Sequence, residues 1–149
     1  MSIEYRRMTE ADVQAAAALE AECFSEPWSE AAFAESIPDK NIVYVVAIRD
    51  GELIGNCGVR CVCGEGEITN VAIHQDMRKQ GIATAMMEEL IRQGELLGTC
   101  DFTLEVRCQN AGAIALYEKL GFVSEGIRPR FYTNPPDDAM IMWRRGPRG

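Results

Sequence analysis

Residues 67–90 read E-I-T-N-V-A-I-H-Q-D-M-R-K-Q-G-I-A-T-A-M-M-E-E-L. A β-branched strand pattern runs into a short polar connection, and a turn containing Gly81 then opens directly into an amphipathic helix. Few arrangements satisfy such a segment. The helix must lie back on the sheet that its strand joins, and its first turn must leave a row of backbone N–H groups without partners. Those amides and the helix dipole suit a phosphate. Arg78, Gly81 and Ala83 form R-x-x-G-x-A: Gly81 permits close approach or a positive φ, and Ala83 is small enough for a ligand to lie against the helix start. The pattern is neither a P-loop, since no Gly-Lys-Ser/Thr follows, nor the three-glycine dinucleotide fingerprint. A small residue at a helix start can also be ordinary packing.

The flanking chain predicts the rest of the sheet. Thr9 with Asp12 reads as a helix N-cap with acid in the first turn, followed by an Ala-rich helix to about Glu22. Pro27 interrupts, and Ser29 caps a short helix through Phe33. Residues 42–48, I-V-Y-V-V-A-I, are a strand. Asp50-Gly51 is a hairpin signal, a second strand runs from Leu53 to about Cys63, and residues 68–73 complete a three-strand meander. In the helix after Gly81, Ile82, Met86, Leu90 and Leu97 recur on one stripe, widened by Met87 and Ile91. Residues 101–108 alternate, with Phe102, Leu104 and Val106 on one face and Thr103, Glu105 and Arg107 on the other. Asn110 caps a helix that Gly121 ends. Strands over residues 122–127 and 139–143 close the chain. Two helices, three strands, a helix, a strand, a helix and two strands make a mixed α/β sheet covered by helices. The expectation is one domain over residues 1–145 and a loose tail at 146–149.

Charge and cysteines exclude several classes. The net charge of −8 falls in residues 1–75, while the remainder carries acids and bases in equal number. A net-negative chain is a poor binder of a phosphate backbone, so no direct nucleic-acid partner is expected. The acidic half suits an amine-bearing partner or merely a solvated surface. No run approaches the ~18 apolar residues of a membrane helix, and the start lacks a signal peptide's apolar stretch, which predicts a cytoplasmic chain without a membrane partner. Of the six cysteines none form C-x-x-C, and His74 is the only histidine, so no metal site is expected. Cys57, Cys61 and Cys63 share a strand parity and read as small buried hydrophobes.

The strand, the R-x-x-G-x-A turn and its helix resemble the acetyl-CoA motif of the GNAT superfamily of N-acetyltransferases. The later N-A-G-A-I-A-L-Y-E-K-L-G-F resembles its second motif. F-S-E-P-W-S, L-E-V-R and the pair Phe131-Tyr132 make the chain similar to the RimI-type members, which acetylate the N-terminal alanine of a small-subunit ribosomal protein. The resemblance spans essentially residues 3–143. It implies the GNAT fold, a mixed central sheet of about six to seven strands with helices on both faces, and acetyl-CoA as co-substrate. It implies that Val71, Ala72 and Ile73 pair with the pantetheine arm. Arg78, Lys79, Gln80, Gly81, Ile82, Ala83 and Thr84 would hold the pyrophosphate, and Asn110 would meet the thioester end. Glu105 takes the position of the general base and Tyr117 that of the general acid. Ala83 stands where the motif more often has glycine.

The chemistry of these residue types agrees. An N-terminal amine has a pKa of roughly 8 and is largely protonated at neutral pH. A carboxylate such as Glu105, suited if partial burial raises its pKa, can take that proton directly or through water. Its plain alternative is a surface carboxylate paired with Arg107. The Tyr117 phenol can protonate a departing thiolate, or can simply fill a helix stripe. A backbone N–H near Val71 or Ala72 would meet the oxyanion. Trp28, Phe24, Phe131 and Tyr132 are candidates for lining an acceptor slot, with Trp28 and Tyr132 foremost. The expected activity is acetyl transfer to a ribosomal-protein N-terminus, directly and not through an acyl-cysteine, because no cysteine has a base assigned to it. The rivals are transfer to a small amine or lysine side chain, and a non-catalytic acyl-CoA binder.

Overall fold

The computed structural model describes residues 2–78 and 80–147. Strand β1 (Ile3–Arg7) leads through a 3-10 turn into α1 (Val13–Cys23) and α2 (Glu30–Ser36). A meander follows: β2 (Ile42–Arg49), β3 (Glu52–Val62) and β4 (Glu65–Ile73). Helix α3 (Ile82–Leu96), β5 (Asp101–Arg107), α4 (Ala111–Lys119), β6 (Val123–Thr133) and β7 (Pro136–Arg144) complete the chain. The seven strands form one mixed sheet in the order β1-β2-β3-β4-β5-β7-β6. Every neighbouring pair is antiparallel except β4 with β5.

Strand β2 shows why its sequence is continuously apolar. Val43, Val45 and Ala47 pack toward Met86, Met87 and Leu90 of α3, while Tyr44 and Val46 pack toward Val13, Ala16 and Phe33 of α1 and α2. Both faces of the strand are covered, so no polar alternation is called for. A mixed seven-strand sheet with helices on both faces is thus present, as the resemblance implies.

Several local expectations shift. β1 was not expected: its five residues alternate Ile3 and Tyr5 with charged neighbours, a short pattern that tertiary pairing with β2 completes. Asp12 ties it to α1 by accepting from Arg6 Nη1 at 2.7 Å, Arg6 Nη2 at 3.0 Å and Thr9 N at 2.8 Å. Leu97 leaves the α3 stripe and is 48% exposed, because the helix stops at Leu96. Cys57 and Cys61 are buried as expected, but Cys63 is exposed: β3 ends at Val62, and Cys63 sits in the turn with φ of +53°. β6 runs past Ile127 and includes Pro129, which an edge strand tolerates because no ladder N–H is needed there. At the C-terminus, Gly146 N donates to Asp101 Oδ1 at 3.0 Å, so the chain is tied down at least that far, and Arg148 and Gly149 of the expected tail lie outside the described residues.

Candidate active site

The parallel pair β4–β5 is short. Glu65, Gly66 and Glu67 stand opposite Asp101, Phe102 and Thr103, and there the pairing ends. β4 goes on pairing with β3 through Ile73, and β5 with β7 through Arg107. Among the described residues, the facing edges of 68–73 and 104–107 are therefore left open, and Val71, Ala72 and Ile73 lie on that open part of β4.

At the end of β4 the chain turns through a 3-10 turn to Gly81, whose φ of +79° is the left-handed conformation that glycine alone adopts without strain. A Cβ added at Gly81 would meet nothing within 4 Å. The helical ladder begins with Ala85 N donating to Gly81 O at 3.2 Å, so the amides of Ile82, Ala83 and Thr84 are the partnerless donors of a helix start. Ile82 is buried under the turn, while Ala83 and Thr84 are half-exposed. Gln80 Nε2 donates to Asp76 O at 3.3 Å, and Arg78 Nη2 approaches Cys23 Sγ at 3.9 Å. Lys79 lies outside the described residues. Asn110 caps α4, its Oδ1 accepting from Ala113 N at 3.1 Å, which leaves its Nδ2 as a donor.

On the opposite side of the open seam lies a cavity of about 370 Å³ lined by Trp28, Arg60, Glu67, Ile68, Thr69, Thr103, Leu104, Glu105, Phe131 and Tyr132. The alternation of β5 places Thr103 and Glu105 on this side, with Phe102 and Val106 turned into the core. Glu105 is 40% exposed, with Arg128 Nη1 at 4.0 Å. The expected partner, Arg107, is engaged elsewhere: it donates to Pro135 O at 2.6 Å and Asn134 O at 3.2 Å, and its guanidinium lies 4.2 Å from the Tyr132 ring centroid. Tyr132 is the last but one residue of β6. Phe131 meets it edge-on at 5.0 Å. On the far wall, Trp28 packs at 5.6 Å from Phe33 and edge-on at 5.7 Å from Tyr44. Phe24 does not line the cavity.

Tyr117 is not a wall of this cavity. It is 9% exposed on α4, packed edge-on against Phe122 at 6.0 Å. Burial first, then the Cys57 thiol and the Tyr132 phenol, push its own phenol up to about 12. Tyr132 in turn is raised by burial and by Glu105. Tyr132 is therefore within electrostatic reach of Tyr117 and of Glu105. Reading the sequence missed the buried group beneath the cavity: Glu20 and Asn70. Among the described residues no three His, Cys, Asp or Glu side chains are grouped to hold a metal, and no helix is long and apolar enough to cross a membrane.

Residues 13–122 match the acetyltransferase (GNAT) family. The chain is 35% identical over 133 residues to the [ribosomal protein bS18]-alanine N-acetyltransferase of Escherichia coli K12, covering 88% of this chain and 89% of the relative. The crystal structure of the Escherichia coli ribosomal-protein-S18-alanine N-acetyltransferase superposes with a TM-score of 0.89 at 31% identity, over 99% of this chain and 96% of the other. The PaiA N-acetyltransferase of Thermoplasma acidophilum, solved in complex with coenzyme A, shares the fold with a TM-score of 0.78 at 20% identity, over 97% and 99% of the two chains.

Proposed function

The chain belongs to the acetyltransferase (GNAT) family and is an acyltransferase, and within that class we propose that it moves the acetyl group of acetyl-CoA to the N-terminal α-amine, on alanine, of a small-subunit ribosomal protein. The observation that carries this reading is the meeting of Glu105, Trp28 and Tyr132 in one cavity on the open β4–β5 seam. The names of the relatives support the choice of acceptor, and the acidic first half of the chain suits an acceptor with basic residues behind its amine.

The residues present fit acetyl-CoA. Partnerless amides at the start of α3, and open space where a Gly81 Cβ would lie, suit a pyrophosphate. Arg78, Lys79, Gln80, Gly81, Ile82, Ala83 and Thr84 take that role, and the open edge at Val71, Ala72 and Ile73 takes the pantetheine arm. Asn110 offers its Nδ2 toward the thioester end. The bound co-substrate supplies an activated acyl thioester. Glu105 takes the proton of the acceptor's ammonium, directly or through a water molecule, and the freed amine forms the new C–N bond as the C–S bond breaks. Backbone N–H near Val71 or Ala72 meets the negative charge that develops on the acyl oxygen. Tyr117, its pKa pushed up to about 12, is protonated at neutral pH and can give its proton to the departing thiolate, while the second proton of the acylated nitrogen is lost to water and the phenolate is reprotonated from solvent. Trp28 and Tyr132 hold the acceptor. The chemistry uses no metal and no acyl-cysteine, works in the cytoplasm, and is carried by residues 1–145 as one unit.

The test is an acceptor screen of peptides beginning with alanine against free amines and lysine side chains, joined to intact-mass measurement of ribosomal proteins with and without the enzyme. A gain of 42 Da (one acetyl group) on a small-subunit protein is expected. Preference for free amines or lysines would move the activity to another acceptor class. Tight acetyl-CoA binding with no transfer to any amine would make the protein a binder only.

A further inference from the structure

Glu20 is a carboxyl group sealed inside the protein, 1% exposed on α1. A buried carboxyl is costly unless its oxygens find donors. Here they come from two separate elements. Oε1 accepts from Trp28 N at 3.3 Å, and Oε2 accepts from Asn70 Nδ2 at 3.0 Å. Asn70 Nδ2 also donates to Asn56 Oδ1 at 3.3 Å, and Asn70 Oδ1 accepts from Thr69 Oγ1 at 2.8 Å. Burial raises the pKa of Glu20, and the bonds from Asn70 and Trp28 oppose that rise.

Both arms of this network end on the cavity. Trp28 is one of its walls and Thr69 is another. Thr69 is also the residue that the β3–β4 ladder skips: Gly58 faces Asn70, and Val59 faces Ile68. Such a bulge re-aims a side chain, and it holds its place only if something fixes it. Gly58 makes room for the fixing group. A Cβ there would sit 2.5 Å from Tyr44 Cε1 and 2.8 Å from Asn70 Oδ1, so the Tyr44 ring and the Asn70 amide close over the bare backbone. The same Tyr44 ring carries Trp28 edge-on.

We propose that Glu20 is a positioning residue for the acceptor: its carboxyl fixes the Trp28 wall against the bulged Thr69 wall, and so sets the width of the cavity that receives the residue bearing the reacting amine. This rests on the reading that the cavity takes the acceptor. Glu20 touches no reacting atom. Its removal frees the backbone of the α1–α2 connection at Trp28 and the amide of Asn70 together, so the two walls drift apart while the Gly81 turn and the α3 amides keep their places.

The experiment has two readouts. In steady-state kinetics with an alanine-first peptide, Glu20→Ala is expected to raise the acceptor KM about tenfold while acetyl-CoA affinity stays within about twofold. Glu20→Gln, which keeps the shape and one acceptor oxygen, falls between. The double variant Glu20→Ala with Asn70→Ala is expected to be no worse than Glu20→Ala alone, because the two act as one unit. Val43→Ala, on the other face of β2 from Tyr44, serves as a destabilised control that leaves the acceptor KM in place. The second readout needs no activity. In a Trp143→Phe background Trp28 is the only tryptophan, and Glu20→Ala or Glu20→Gln is expected to red-shift its emission and increase its quenching by acrylamide. An unmoved acceptor KM, a loss shared equally by acetyl-CoA affinity, or an unchanged Trp28 emission overturns the proposal. If the wild-type protein transfers to no peptide, the acceptor reading falls by itself, and the Trp28 emission alone decides whether Glu20 holds that wall.

Discussion

Arg128 reaches across β7 to place Nη1 4.0 Å from Glu105 Oε1, with the two side chains 60% and 40% exposed. An ion pair this open is screened by water and contributes little to stability. It leaves the carboxylate on the cavity surface with an unencumbered approach, which a base that must meet an incoming ammonium requires. Glu105→Gln is expected to lower kcat by roughly 10²- to 10⁴-fold, the usual contribution of a positioned base, with acetyl-CoA affinity within about twofold. Single-turnover rates and acetyl-CoA titration check it. Equal turnover by the variant at every pH would remove Glu105 from the chemistry.

Tyr117 should behave as an acid that never runs out of protons at physiological pH. Because burial lifts its phenol to about 12, it adds no alkaline fall to kcat below that value. Tyr117→Phe keeps the packing against Phe122 and removes only the hydroxyl, and kcat is expected to drop about tenfold or more. A pH–rate profile of both proteins is the measurement. An unchanged rate would leave Tyr117 as a core aromatic.

Arg107 is expected to matter for the acceptor without touching the proton chemistry. It staples the hairpin between β6 and β7 through two carbonyls and lies over Tyr132. Arg107→Ala should raise the acceptor KM on the order of tenfold, equivalent to about 1.4 kcal/mol, with acetyl-CoA KM unchanged. Arg107→Lys should rescue poorly, since an ammonium lacks the planar fork that reaches both carbonyls and stacks on a ring. Initial-rate kinetics with varied peptide would show whether the loss stays on the acceptor side.

Two buried carboxyls should give stability opposite dependences on pH. Hydrogen bonding from Arg6 holds Asp12 below the ordinary 3.8, so its contribution is present above that value and is lost as pH falls through its depressed pKa. Glu20 is raised above the ordinary 4.5, chiefly by burial. The folded state then binds its proton more tightly than the unfolded chain, so stability falls as pH rises from 4.5 through the raised pKa. Asp12→Asn is expected to cost roughly 1.5–3 kcal/mol at neutral pH, the range for hydrogen bonds to a charged group, and to flatten the acid limb of Tm against pH. Glu20→Gln is expected to remove the fall above 4.5. Thermal melts across pH would contradict this if either variant kept the wild-type slope in its own window.

Local chemistry made part of this site readable. The alternation of residues 101–107 placed Glu105 opposite Phe102 and Val106, and Gly81 marked a turn that needs a positive φ. Ser29 and Asn110 announced helix starts through their side-chain oxygens. What stayed hidden depends on contacts between distant segments. Glu20 and Glu22 are the same residue type two positions apart in one Ala-rich helix, yet one is sealed and the other is exposed; helix phase sets them on different faces, but alanines all round α1 blur which face turns inward until it packs on β3 and β4. The bulge at Thr69 has no glycine or proline to signal it, because the partner residue Gly58 on β3 makes the room. β1 is too short to declare itself without β2 beside it.

A strand edge with unmade hydrogen bonds invites pairing with another chain, and proteins ordinarily blunt such edges at the rim of a sheet. This chain keeps two of them in the middle. The open stretches of β4 and β5 face one another, each backed by a paired neighbour and joined at one end by the three residue pairs that begin the seam. A foreign strand would have to enter between two interior strands to reach them. The protein can thus keep a backbone surface open while hiding that same surface from its own copies, and the three pairs at the root of the seam carry both the opening and its protection.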